Sequence, residues 1–126
     1  MFAAGASGDV APIRRISGPS TGLNAPGGLV LDAAGQIYVT NFRGPSVTIY
    51  SAGADGDAAP VRTIDGASSL RLPVGIALSS AGEIYVANYG GQSITVFAAG
   101  ASGNATPVRV IGGAKTGLRD PGWITF

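Results

Sequence analysis

Residues 72–88 read LPVGIALSSAGEIYVAN, which is two strand-forming segments joined by a short polar linker. Residues 75–78 form a short apolar segment, and Ile84–Asn88 is rich in β-branched and aromatic side chains. The linker between them carries Gly82, and glycine readily adopts the left-handed backbone conformation of a tight turn. The pattern therefore predicts a β-hairpin.

The same hairpin pattern occurs earlier in the chain, and its spacing reveals an internal repeat. Residues 28–31, a polar linker and Ile37–Asn41 reproduce it with the linker glycine in the same place. Residues 1–31 also align without a gap on residues 96–126, and the middle copy lies halfway between them. The period is therefore about 47 residues, and the chain contains about two and two-thirds repeats.

Each repeat contains four strand-like segments, which we name A to D in chain order. Segment A is 28–31, 75–78 and 123–126; segment B is 37–41 and 84–88; segment C is 47–50 and 94–97 with 1–3 as a remnant; segment D is 12–16, 60–64 and 107–111. A proline opens every D segment, which suits an outer edge strand because proline cannot donate a ladder hydrogen bond. No segment shows sustained helical periodicity, so the chain is predicted to be all-β.

Four short antiparallel strands in each 40 to 50 residues are typical of a β-propeller blade. The segments 73–78, 82–88 and 94–97 resemble the NHL-repeat family. The resemblance implies a ring of mostly six blades and a function that is mostly binding, with some lyase and esterase relatives. The chain contains no histidine, neither the one that names the family nor those of its lyase-like members. The resemblance therefore supplies no catalytic residue.

We predict one repeat domain over residues 1–126, with full four-stranded blades at 28–64 and 75–111. Residues 1–17 supply only C and D segments, and residues 122–126 supply only an A segment. Because a blade requires a neighbour on each side, we expect two chains to complete a six-bladed ring as a homodimer, sharing a blade between their ends. The alternative is a fragment of a longer propeller. The predicted interface residues are Phe2, Pro12, Ile13, Ile16, Trp123, Ile124 and Phe126.

The composition excludes several classes of function. Lys and Arg total 8 against 7 Asp and Glu, a net charge of +1 that argues against nucleic acid as a partner. The absence of cysteine excludes disulfides and thiolate chemistry, and the absence of histidine removes the commonest general base and metal ligand. No apolar segment approaches the roughly 18 residues of a membrane span, and the first residues do not resemble a signal peptide. We expect a soluble chain with no cofactor and no membrane partner.

The linkers between B and C and between D and A surround the channel mouth of a propeller, so they are the candidate ligand site. The predicted contact residues are Asn41, Phe42, Arg43, Arg71, Asn88, Tyr89, Arg119 and Trp123. A weakly basic mouth favours a small anionic ligand or an acidic peptide. The alternative is a solvated charged rim that has no ligand.

Other recurring residues are predicted to be structural. Arg14, Arg62 and Arg109 occupy one place in segment D and indicate a contact between blades, with phosphate binding as the alternative. Tyr38 and Tyr85 are expected in the core, and the asparagines that end each B segment are expected to bond turn backbone. The sequence Asp55-Gly56-Asp57 has too few carboxylates for calcium and predicts a polar turn.

The sequence thus favours a non-catalytic propeller scaffold that self-assembles and binds a ligand or peptide at the channel mouth. One alternative is a subunit or fragment of a propeller hydrolase or lyase that works through carboxylates and a metal. Another is weak nucleic-acid binding through Arg43, Arg71, Lys115 and Arg119, which would show a steep loss of affinity with salt.

Overall fold

The computed structural model describes residues 1–65 and 69–126 and contains two four-stranded antiparallel sheets. The first sheet consists of β1 (Pro26–Leu31), β2 (Ile37–Asn41), β3 (Ser46–Tyr50) and β4 (Arg62–Ile64). The second consists of β5 (Pro73–Leu78), β6 (Ile84–Asn88), β7 (Ser93–Phe97) and β8 (Arg109–Gly112). Strands follow chain order in both sheets, which confirms the all-β prediction and the four strands of each complete repeat. In this described part of the chain, no helix is long and apolar enough to cross a membrane.

The β1–β2 and β5–β6 hairpins turn on glycine, as their linkers predicted. Gly35 and Gly82 have φ angles of 84° and 83°, in the left-handed region that glycine tolerates without a steric cost. In the first hairpin the Asp32 carboxylate also accepts hydrogen bonds from the backbone N–H groups of Ala34 and Gln36, at 3.0 and 2.8 Å. The linker sequence therefore fixes the turn in each hairpin.

The strand boundaries differ from the prediction at both edges of each sheet. β1 and β5 begin at Pro26 and Pro73, earlier than predicted, because a bulge lets each proline pair with the asparagine that ends the adjoining strand. The outer strands begin at Arg62 and Arg109 rather than at the predicted prolines. Proline has no N–H to give to the ladder, so hydrogen bonding to the adjoining strand starts at the next residue, where Val61 and Val108 donate to the carbonyls of Ile49 and Val96, both at 2.8 Å.

The main apolar core lies between the two sheets. Tyr38, Val47 and Ile49 of the first sheet pack against Ile76, Ile84, Val86 and Phe97 of the second. β1 and β5 approach closely at Gly28, where a Cβ atom would overlap the carbonyl oxygen of Val74. A second, smaller cluster covers the other face of the first sheet around Ile37, Val39 and Tyr50.

The repeats are also joined along their outer edge by two isolated parallel bridges, Ile16 with Gly56 and Ile64 with Gly103. In each case a D segment pairs with the C–D linker of the next repeat. We call this contact the edge bridge. It recurs at equivalent residues, so it belongs to the repeat rather than to one blade.

The segments predicted as strands at 1–3, 12–16 and 123–126 are not strands in the structure. The first two meet only through Met1, whose backbone bonds those of Ile13 and Arg14. The C-terminal segment lies along β5, where a Cβ on Gly75 would overlap the carbonyl oxygen of Gly122. Each segment sits at a blade position without a full set of neighbours, and a strand requires a paired neighbour to form a ladder.

Candidate binding site and assembly surfaces

The two asparagines predicted to contact a ligand are fully buried at the ends of β2 and β6. The Oδ1 atom of Asn41 accepts the N–H of Asn24 at 3.0 Å, and the Oδ1 atom of Asn88 accepts the N–H of Arg71 at 3.1 Å. Their amide nitrogens bond hydroxyls of the neighbouring strand, with the Nδ2 atom of Asn88 only 2.7 Å from Oγ1 of Thr95. Both side chains therefore hold the D–A linker in place. Their predicted bonding to backbone is observed, and their complete burial leaves neither side chain exposed to a ligand in the single chain.

Two of the three aromatic residues of the predicted mouth, Phe42 and Tyr89, line one cleft between the blades. The cleft has a volume of about 590 Å³ and is lined by Ala25, Pro26, Gly27, Phe42, Val74 and Tyr89. The backbone N–H of Phe42 bonds the carbonyl of Ala25, and that of Tyr89 bonds the carbonyl of Leu72, both at 3.1 Å. These bonds hold each B–C linker against the D–A linker of its own repeat. Phe42 and Tyr89 therefore occupy equivalent positions in the two repeats.

The predicted basic residues stand outside this cleft. Arg43, Arg71 and Arg119 are exposed, and none belongs to the lining, which in the described part of the chain holds only uncharged residues. Trp123 is 80% exposed at the C-terminal segment, away from the lining. The structure thus brings together Phe42 and Tyr89 of the predicted site and leaves the arginines and Trp123 apart from them.

Each sheet also carries an arginine–tyrosine–carboxylate cluster. Arg109 donates to the Tyr85 hydroxyl at 2.7 Å and to Oε1 of Glu83 at 3.2 Å, and the bond to Glu83 raises the pKa of Arg109. In the first sheet Arg62 donates to the Tyr38 hydroxyl at 3.1 Å. Sequence reasoning found the repeated arginine and tyrosine but missed the carboxylate, because Asp32 and Glu83 stand at opposite ends of their linkers.

The arginine of the first sheet also links the two repeats, as predicted. The Nη1 atom of Arg62 donates to the carbonyl of Ala101, in the C–D linker of the next repeat, at 3.2 Å. The guanidinium therefore bonds within its own blade and across the junction at once. The Arg62 guanidinium thus has a structural role, since its hydrogen bonds go to protein groups rather than to an anion.

The acidic turn at residues 55–57 is likewise structural. Oδ1 of Asp55 accepts the N–H groups of Arg15 and Gly56, and Oδ1 of Asp57 accepts the N–H of Ser20 at 2.7 Å. The two carboxylates thus bind backbone of the N-terminal segment, as expected for a polar turn.

One face of the first sheet is open, and we call it the front face. Leu29, Leu31, Ile37, Val39 and Tyr50 line an apolar cleft there of about 340 Å³, with Met1 and Ile16 at its border. Leu29 is 63% exposed, whereas Ile76, its equivalent in the second sheet, is 7% exposed because the first sheet covers it. The front face is therefore uncovered at Leu29 and Leu31, whereas Ile16 and Leu23 pack over Ile37, Val39 and Tyr50, which are at most 6% exposed.

The opposite face of the second sheet is open as well, and we call it the back face. Ile111 is 43% exposed, whereas its equivalent Ile64 is fully buried at 0%. The ring of Phe126 packs edge-on against Tyr85 with centroids 4.9 Å apart, so the C-terminal segment covers part of this face. The molecule thus exposes one half of a junction at each end.

The predicted interface residues divide between these two ends. Ile16 borders the front cleft, and Phe126 and Trp123 lie at the back face. Phe2 and Ile13 are more than half exposed on the N-terminal segment, Pro12 is exposed beside them, and Ile124 is half-buried in the C-terminal segment. All seven therefore lie in the two terminal segments next to the open faces.

Two four-stranded antiparallel sheets that pack face to face through their repeat-related surfaces are consistent with adjacent blades of a β-propeller. A family model for the NHL repeat matches residues 70–97, which span β5, β6 and β7. The chain therefore contains an NHL repeat, and its architecture fits a partial NHL-like propeller. No curated protein matches the chain significantly.

Proposed function

We propose that the chain is a non-catalytic propeller scaffold that associates with a second chain and holds a ligand or peptide at the channel mouth. The observation that carries the proposal is the pair of open faces. Each is the uncovered equivalent of one side of the internal junction, at Leu29 on one end and Ile111 on the other. The same contact that joins the two sheets can therefore join two chains.

Apolar burial supplies the driving force for this association. The internal junction buries Ile64, Ile84, Val86 and Phe97 completely. On the front face, Leu29 and Leu31 are 63% and 49% exposed at the cleft, above the buried Ile37, Val39 and Tyr50. Exposed apolar patches of this kind typically mark interaction sites, and covering them gains roughly 25 cal/mol for each Å² removed from water.

In such a ring the C-terminal segment of one chain and the N-terminal segments of the other occupy the same blade. Two chains then provide six blade positions. Trp123 stands where Gly28 and Gly75 stand in the other repeats, and both glycines leave no room for a Cβ. A two-chain ring is therefore wider at the shared blade than at the internal junction.

The ligand site follows from the cleft between Phe42 and Tyr89. Its lining is apolar, and the exposed Arg43 next to Phe42 in sequence lies outside the lining. Such an arrangement suits a peptide with an apolar or aromatic side chain, because pockets bind through apolar walls and a few polar groups. Arg43, which follows Phe42 in the chain and is exposed, favours an acidic residue beside that side chain.

Solution mass tests the association. Light scattering behind a sizing column should give a mass near twice the 12.4 kDa chain. Leu29→Glu should return the mass to that of one chain, because it places a charge in the front cleft. The matched control is Val61→Glu. Val61 and its equivalent Val108 are both about half exposed. Their exposure is therefore the same whether or not a second sheet follows, so Val61 lies outside the contact.

A wild-type mass that stays at one chain over a wide concentration range would refute the association. A Leu29→Glu variant that remains as heavy as the wild type would show that the front face is not the contact. Circular dichroism spectra of both glutamate variants should match the wild type, which keeps a folding defect separate from lost association.

The ligand site requires its own experiment. A random peptide library selected on the wild-type protein should yield binders that carry aromatic side chains beside acidic residues. These binders should lose affinity for Phe42→Ala and Tyr89→Ala but keep it for Leu29→Glu. Binders that ignore both aromatic substitutions would place the site elsewhere.

A further inference from the structure

We propose that the second chain docks in one register, in which its residues 6–9 lie along β8 and the turn that follows it. This inference rests on the proposed self-association and specifies its contacts. Residues 6–9, 54–57 and 101–104 are equivalent parts of the three C–D linkers. The latter two already make the edge bridge inside one chain, and residues 54–57 also contact the turn that follows, so the register is taken from contacts that the structure shows.

The edge bridge has the same geometry at both internal sites. Gly56 donates to the carbonyl of Arg15 at 2.7 Å and accepts from Ser17 at 3.0 Å. Gly103 donates to the carbonyl of Thr63 at 2.7 Å and accepts from Asp65 at 3.0 Å. A glycine of the linker therefore bonds the residues on both sides of the D-segment isoleucine.

The chain also contains the residues for a third edge bridge, but they do not meet within one chain. Val110 and Gly112 of β8 are the equivalents of Thr63 and Asp65, and between them Ile111 is exposed. The equivalent of the bridging glycine is Gly8, at the opposite end of the molecule. In a second chain, the N–H of Gly8 would bond the carbonyl of Val110, and its carbonyl would accept from Gly112.

Up to Gly8, the N-terminal linker already has the backbone conformation of the other two linkers, and the carbonyl of Gly8 also accepts the N–H of Val10 at 3.1 Å. Ala6 bonds the carbonyl of Ala3 at 3.1 Å, as Ala54 bonds that of Ser51 and Ala101 bonds that of Ala98. Gly5 and Gly8 have φ angles of 76° and 72°, close to those of the equivalent glycines. Little conformational entropy is therefore lost when it docks.

The turn after β8 matches a turn that receives a carboxylate in the first repeat. Thr21 and Thr116 each donate from Oγ1 to the carbonyl of the preceding turn glycine at 2.7 Å. The first turn bonds Asp57 through the N–H of Ser20, and Thr21 is buried beneath the contact. The equivalent residues for the third junction are Lys115 in the exposed turn and Asp9 in the linker.

The space for this carboxylate is open. At the first turn, a Cβ on Gly18 would lie 2.8 Å from the Cβ of Asp57, so the glycine makes room for the acid. Gly113, its equivalent, has φ 105° and no heavy atom within 4 Å of its Cβ position. Asp9 of a second chain would therefore meet the backbone N–H of Lys115 and lie within reach of its ammonium group.

Carbodiimide coupling tests this pairing directly, because Lys115 is the single lysine of the chain. The reagent joins a carboxylate to an amine without a spacer. In a mixture of ¹⁴N- and ¹⁵N-labelled wild-type chains, mass spectrometry should find mixed-isotope peptides that join Lys115 to Asp9. Lys115 coupled only to other carboxylates, or only within one chain, would overturn the register.

Affinity provides the second measurement. Asp9→Ala should raise the dissociation constant by about tenfold or more, since a charge-assisted hydrogen bond is lost at both junctions of the ring. Asp9→Asn should retain most of the affinity, because Asn104 stands at the equivalent place in the third linker. Asp65→Ala makes the same change in net charge at an exposed side chain away from β8, and it keeps the backbone N–H that bonds Gly103, so it should have no effect on the affinity between chains.

The outcomes separate the register from the proposed association. A dimer that is lost in Leu29→Glu but insensitive to Asp9→Ala, with no Lys115–Asp9 coupling, refutes the register alone. A wild-type chain that remains monomeric refutes both. Because Asp9 and Gly8 are exposed in the single chain, neither test depends on a substitution in the core.

Discussion

The closed junction between the sheets and the open faces at the two ends use equivalent residues in different surroundings. Ile64 is buried where a second sheet follows it, and Ile111 is exposed where none does. Ile76 and Leu29 show the same contrast on the other side of the junction. At these two positions burial is therefore set by the neighbouring repeat and not by the sequence of the repeat itself, as expected for repeat proteins.

The largest expected effect compares the two isoleucines. Ile64→Ala should lower the free energy of unfolding by about 4 kcal/mol, because it leaves a cavity in the junction, whereas Ile111→Ala should cost about 1 kcal/mol. Urea unfolding at low protein concentration measures both. Equal costs would contradict the contrast between the closed and open surfaces.

The dependence of these two costs on protein concentration tests whether a second chain covers Ile111. If a second chain covers Ile111, then the cost of Ile111→Ala should rise with protein concentration, because association stabilises the folded chain by mass action. The cost of Ile64→Ala contains an additional intrachain part that is independent of concentration. Two denaturation series a hundredfold apart in concentration would reveal the difference.

The second prediction concerns the close approach of the inner strands. Gly28→Ala should destabilise the fold by about 3 kcal/mol, because the new Cβ would overlap the Val74 carbonyl between two paired strands. Gly75→Ala should cost about 1 kcal/mol, since the overlapping Gly122 carbonyl belongs to a segment without ladder pairing. Thermal unfolding measures both variants.

Gly27→Ala is the control for these substitutions. A Cβ at Gly27 would lie 3.5 Å from its nearest neighbours, which is ordinary van der Waals contact, and a valine occupies the equivalent position 74. It should be tolerated with little loss. A Gly28→Ala variant as stable as Gly27→Ala would show that the inner strands can separate.

The third prediction concerns the buried asparagines. Asn88→Ala should cost about 2 kcal/mol, because it leaves the N–H of Arg71 and the hydroxyl of Thr95 without their side-chain partner. Hydrogen exchange should then speed up in the linker before β5 more than in β6 itself. Unchanged exchange at Arg71 would contradict the role of Asn88 in holding that linker.

The sequence predicted the hairpins, the strand order and the turn glycines because each depends on local spacing. Gly82 and the β-branched and aromatic residues of Ile84–Asn88 were sufficient to predict this hairpin. The role of Asn88 was only half predicted, since spacing places it at the strand end but does not show that the D–A linker covers it. The bonds of Asp57 to the N-terminal segment also join residues distant in sequence, and periodicity does not reveal such pairs.

The smallest expected effect compares Tyr50 with its equivalent Phe97. The hydroxyl of Tyr50 donates to the carbonyl of Thr21 at 2.6 Å, whereas beside Phe97 the Thr95 hydroxyl donates to the carbonyl of Ser69 at 3.0 Å. The second repeat thus forms the corresponding bond without a phenol. Tyr50→Phe should therefore cost only about 1 kcal/mol at neutral pH.

The pH dependence of this difference follows from the buried phenol. Burial raises the pKa of Tyr50 above its usual value of 10.0, although the hydrogen bond with Thr48 acts in the opposite direction. The folded state then holds the phenolic proton more tightly than the unfolded state, so stability from this group is present below about pH 10 and falls as pH rises above it. Urea unfolding at several values between pH 8 and 11 should show the gap between wild type and Tyr50→Phe narrowing. Because the other tyrosines are common to both proteins, a gap that stays constant would mean that Tyr50 ionises equally well in the folded chain.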